Sequence, residues 1–227
     1  YEITQTDTQK INKDKATQMG LADAIVGGLT AAASSALGPY FAPYAGLWGG
    51  FLASSAMADL YDKGHKKNSI VQPRDSSFLF LEGYLGSAHN DLLEKSIIDT
   101  NFKNILKGDS LSDEVRSLLI SNNYFNTNNI EMVYLQLTPI MIKIYKEFMN
   151  CIEPDSLSFR YDLFLNSNTD ISDLEKQIIL TISQQIFEIE TYYYTSYLLD
   201  IENLIKNDTS ITNLQKSNLM KFISILN

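Results

Sequence analysis

Cysteine is nearly missing from this chain: Cys151 stands alone in 227 residues. A single cysteine excludes an internal disulfide framework and cannot by itself make a thiolate metal site. Proline and glycine are also sparse, at five and eleven, and most of the glycines fall in the first third. The remainder therefore lacks the turn punctuation that an all-β chain needs. Positive charge is short as well, eighteen Lys and Arg against twenty-seven Asp and Glu, and the shortfall is uneven. Residues 1–74 hold seven basic and six acidic residues, whereas residues 75–227 hold eleven and twenty-one. Such an acidic body repels phosphate backbones and offers no basic stripe, which argues against nucleic acid as a partner. No phosphate-cradling loop is present either, because Gly27-Gly28 and Gly49-Gly50 have neither a following Lys-Ser/Thr nor a strand before them.

What the sequence does hold is an unusual stretch from Leu21 to Leu60, rich in Ala, Gly and Ser and free of charge between Ala24 and Ala58. Its spacing predicts two helices. In the first, Ala24, Gly28, Ala31 and Ser35 form a stripe of small residues, and Gly38-Pro39 ends it. In the second, Ala42, Gly46, Gly49, Ala53 and Ala56 form a face with almost no side-chain bulk, while Tyr44, Trp48 and Phe51 lie on another. Small faces let two backbones approach closely, so the expectation is an antiparallel hairpin. The smooth face is a candidate binding surface for a protein, a membrane or a second copy of the chain. Each arm is near the length of about 20 residues that spans hydrocarbon, and Lys10, Lys13, Lys15, Lys63, Lys66 and Lys67 flank the open ends.

The rest reads as amphipathic helix. Residues 1–62 comprise a polar lead-in and the hairpin, 63–75 a basic linker, and 76–227 an acidic helical body. Leu85, Ala88, Leu92 and Ile97 share a helical face that fades before Gly108. Ser112, Ser172 and Thr212 each open a helix, the last two with complete capping boxes through Glu175 and Gln215. Ile130 to Phe148 predicts a helix kinked at Pro139. Ser172 to Lys206 predicts the longest helix, and Thr212 to Leu226 a short closing one. The fold class is all-α, a helical bundle with the small-residue hairpin packed on a larger acidic body.

Candidate chemistry centres on His89, in the run Gly86-Ser87-Ala88-His89-Asn90. With Asn90, Glu82 and Glu94 it has the residue types of a general-base site. Leu85, Leu92 and Leu93 flank it at helical spacing, which equally suits a structural histidine. His65 lies among lysines, so no second metal-binding imidazole is at hand and neither metal nor cofactor is expected. Cys151 with His89 and Asn90 has the residue types of a papain-like set without that family's local sequence. Tyr193 and Tyr197, with Tyr192 and Tyr194, are candidates for a groove lined by tyrosines or for ordinary packing.

The charge-free Gly/Ala-rich segment followed by Gly86-Ser87-Ala88-His89-Asn90-Asp91-Leu92-Leu93, the pattern G-x-x-H-N-x-x-L, resembles a group of uncharacterised exported proteins of Bacteroidetes over roughly Ala22 to Leu93. The resemblance implies an extracytoplasmic, often lipid-anchored protein and brings no activity with it. This sequence has no N-terminal lipid-accepting cysteine. It opens at Tyr1 without an initiator Met, as a processed or truncated product does, so the missing export signal is uninformative. Three functions stand as expectations: a non-enzymatic exported binding or scaffold protein of the cell envelope, a membrane-active protein using residues 21–60, and a hydrolase-like enzyme centred on His89.

Overall fold

A computed structural model describes residues 5–38, 40–61, 89, 92, 105–121, 128–153 and 158–226. It is an all-α bundle. Helix α1 (Gln5–Ser34) leads through a 3-10 turn (Ser35–Leu37) into α2 (Ala42–Tyr61). A small antiparallel pair, β1 (Leu106–Lys107) and β2 (Ser110–Leu111), precedes α3 (Asp113–Ser121) and α4 (Ile130–Asn150). A second pair, β3 (Ile152–Glu153) and β4 (Ser158–Phe159), leads to α5 (Tyr161–Ser167). Helices α6 (Asp173–Glu188), α7 (Tyr194–Asn207) and α8 (Asn213–Leu226) complete the chain. His89 and Leu92 are helical and buried. The basic linker and the apolar run at Phe78 to Leu81 lie outside the described residues.

Helices α1 and α2 form the most extensive contact in the bundle, and α8 and α4 pack against α1. The α1–α2 turn is made by Gly38, whose φ of +121° is closed to residues with a Cβ. Its N–H donates to the Ser35 carbonyl at 3.0 Å, and its own carbonyl accepts from Phe41 at 3.1 Å. Hydroxyls buried in α1 satisfy themselves locally: Thr30 Oγ1 donates to the Val26 carbonyl and Ser34 Oγ to that of Ala31. From Tyr40 an aromatic ladder runs through Tyr44 and Trp48 to Tyr134, each centroid 5.6 to 6.1 Å from the next, and ties α2 to α4. A second aromatic cluster, Phe148, Phe159 and Phe164, joins α4, β4 and α5.

The local start signals operate as their chemistry requires. Ser172 and Glu175 form a reciprocal capping box on α6, and Thr212 and Gln215 do so on α8. The two boxes are also joined across the fold, because Gln215 Nε2 donates to Ser172 Oγ at 2.8 Å and Asn218 Nδ2 to Glu175 Oε1 at 2.9 Å. Pro139 sits inside a continuous α4, on its exposed side, beside an equally exposed Leu135. Water can reach the carbonyl that the missing N–H leaves open there.

The predicted long helix from Ser172 to Lys206 does not form. The chain leaves helical geometry at Ile189 (φ −81°, ψ 133°), passes through a 3-10 turn (Thr191–Tyr193) and re-enters helix at Tyr194. Ile189 and Thr191 are β-branched and give helix little intrinsic support. Folding back is what the break gains. Tyr197 Oη donates to Gln185 Oε1 and Tyr194 Oη to the Leu226 carbonyl, whereas in one straight helix Gln185 and Tyr197 would stand about 18 Å apart.

Candidate functional site

The small residues of the two central helices do meet, but in a register turned by one residue from the spacing argument. A Cβ on Gly27 would lie 2.7 Å from the Gly46 carbonyl oxygen and 3.2 Å from the Gly50 nitrogen, and one on Gly49 would collide with the Thr30 side chain. The α1 partners of Gly46 and Gly49 are therefore Gly27 and Thr30, and Gly28 is not among them. Gly28 turns instead toward α8, where Phe222 Cβ is 3.4 Å from its virtual Cβ. Ala42, Gly46, Gly49, Ala53 and Ala56 are all buried by the protein's own helices.

Gly50 holds the most unusual contact. A Cβ there would come 3.1 Å from both the Asp23 carbonyl oxygen and His89 Cδ2, so the bare backbone makes room for the imidazole. His89 Nε2 lies 3.8 Å from Asp23 Oδ2, too far for a hydrogen bond but close for charge interaction. Both residues are sealed, with His89 0% and Asp23 4% exposed. A general base has to reach its substrate's proton within hydrogen-bond distance or through one water; the Cδ2–Nε2 edge of this imidazole lies against the backbone at Gly50. His89 thus meets α1 near Asp23 and α2 at Gly50.

Of the other residues singled out from the sequence, Glu82, Asn90 and Glu94 lie outside the described residues. Cys151 follows α4, half-buried, and its thiol is pushed up from its ordinary range first by burial and then by the carboxylates of Asp162 and Glu147. That direction is opposite to an activated thiolate. Tyr193 and Tyr197 divide: Tyr193 faces solvent in an edge-on contact with Tyr192, while Tyr197 packs between α6 and α7 with its hydroxyl raised by burial. Among the described residues no group of three His, Cys, Asp or Glu could hold a metal ion.

Asp23 and Gly50 escaped the sequence argument. Asp23 left a signal, since it is the only charge from Thr17 to Leu37 and its helical neighbours Val26 and Gly27 are apolar. Gly50 left none, because a glycine in a helix does not announce which neighbour it admits. Comparison with protein-family models, curated proteins and solved structures returns no match.

Proposed function

We propose that this chain is a non-enzymatic helical binding or scaffold protein of an extracytoplasmic compartment. The observation that carries the reading is the enclosure of His89: the histidine that the sequence offers as a base is buried against Gly50 and Asp23. Support for an interaction role comes from the outer faces, where Met132, Leu135 and Pro139 follow one another along the exposed side of α4, and Leu204 and Leu214 stand exposed on α7 and α8. The likeness of residues 22–93 to exported proteins supports the compartment.

The test compares the wild-type chain with His89→Asn on a panel of chromogenic esters, phosphate esters, glycosides and peptides. Both should be indistinguishable from buffer. A wild-type turnover that disappears in His89→Asn, with the far-UV circular dichroism spectrum unchanged, overturns the reading in favour of a hydrolase.

A further inference from the structure

We propose that the outer face of α4 is a self-pairing surface, on which α4 of a second copy of this chain packs antiparallel. The proposal rests on the reading of that face as an interaction surface and names its partner. Met132, Leu135, Pro139, Lys146 and Met149 stand exposed on α4, and Ile142 among them is half-buried. Their spacing is three, four, three, four and three, the heptad seam of a helix that packs against another helix. All but Lys146 are apolar. The inner face of the same helix, with Val133, Leu137, Met141, Ile144 and Phe148, is already buried in the bundle. Helices α3 and α6 lack such a second apolar side: the exposed positions of α3 are Asp113, Glu114, Ser117 and Ser121, and those of α6 are Asp, Glu, Gln and Thr apart from Leu174. A contiguous apolar strip left at the water boundary marks an interaction site.

Charge along the strip selects the partner. Among the exposed positions of α4 the only charged residues are Glu131 at the N-terminal end and Lys143 and Lys146 toward the C-terminal end. Each is in a surface ion pair, with Arg116, Asp170 and Asp109 respectively, and pairs of that kind are weak enough to be shared. A helix with this order of charge complements a copy of itself only when the copy is reversed. In the antiparallel register that overlaps the whole seam, Met132 of one copy lies opposite Met149 of the other, and Pro139 opposite Ile142. Glu131 then lies within about 6 Å, along the axis, of Lys146 in the other copy. Parallel packing would instead set like charges side by side. The same register places Lys146 opposite Leu135, whose carbonyl has no N–H donor from Pro139, so an ammonium meets the acceptor that the helix leaves open. The arrangement is two-fold and closed, each copy offering the same patch. Its seam is about 26 Å long and 10 Å wide, well short of the ~800 Å² per partner of a standard interface. The dimer is therefore weak and reversible.

Sedimentation velocity of the full chain over the micromolar to half-millimolar range, with reductant to keep Cys151 a thiol, reads the association. The weight-average mass should rise from 25.6 kDa toward twice that value. Leu135→Glu should hold it at the monomer, whereas Leu204→Glu, on α7, should leave the association unchanged. Glu131→Lys makes the charges of the face all positive, and Lys143→Glu with Lys146→Glu makes them all negative. Each of these variants alone should associate at least tenfold more weakly than the wild type, and their equimolar mixture should recover the wild-type mass. A wild type that stays at 25.6 kDa throughout, or charge variants that associate as the wild type does, overturns the proposal. All three charge positions are exposed, so these variants decide the matter even if Leu135→Glu fails to fold. The masses do not depend on turnover, so failure here is distinct from a turnover lost in His89→Asn, which strikes the proposed function instead.

Discussion

Gly27 is the position where the close packing of the core can be tested with a single methyl group. Replacing it with Ala adds helix propensity worth about 1 kcal/mol, and Gly20, on the same helix with nothing within 4 Å of a virtual Cβ, measures that gain alone. At Gly27 the same methyl meets the Gly46 carbonyl oxygen and Ile225 Cδ1, each at 2.7 Å. The isoleucine can turn away, but the carbonyl belongs to the backbone of α2. Restoring van der Waals distance moves one central helix from the other by about half an ångström, a strain at or above the upper end of the roughly 1–3 kcal/mol typical of overpacked cores. After the propensity gain, Gly27→Ala should lose about 2 kcal/mol, while Gly20→Ala gains about 0.5–1 kcal/mol. For a chain of this size the loss lowers Tm by about 4–8 °C. Urea unfolding followed by circular dichroism gives both values. If Gly27→Ala matches or exceeds the wild type in stability, the α1–α2 contact is not as close as described and the argument from small residues fails.

Ser172→Ala and Thr212→Ala should each cost about 1 kcal/mol as lost caps. Because Gln215 bonds to both hydroxyls, the double variant should depart from additivity by more than about 0.5 kcal/mol; strictly additive urea midpoints would show the two boxes to be independent. The Cys151 thiol should alkylate with iodoacetamide more slowly than a free cysteine at neutral pH. Its rate should rise with an apparent pKa above the ordinary thiol range, since burial, Asp162 and Glu147 all disfavour the thiolate; a midpoint at or below that range would contradict its described surroundings. Asp162 is held below the usual carboxylate range, first by its hydrogen bond from Arg160. The stabilisation is thus present above the ordinary carboxylate pKa and lost as pH falls through the lowered one. At this exposed site it is small, and an NMR titration placing Asp162 at or above a free aspartate would remove it.

Much of the bundle is legible in the chain because its signals are local. A Ser or Thr three residues before Glu or Gln caps a helix wherever it folds, so the starts at Ser172 and Thr212 follow from hydrogen-bond geometry within one turn. The scarcity of turn residues after Gly108 and the amphipathic spacing of α4 likewise point to helix without reference to neighbours. Tertiary structure alone decided the rest. Ile178 to Tyr197 keeps helical spacing across Ile189, yet the chain breaks there because folding back lets Tyr194 and Tyr197 bond to distant partners. Composition marks residues 24–58 as smooth and uncharged, but whether Gly27 or Gly28 faces α2 is a rotation of one residue, set by which neighbour fills the other side. The meeting of Asp23 with His89 across the bare backbone of Gly50 joins residues 66 positions apart, and no periodicity within either segment can encode a contact that exists only once both helices are packed.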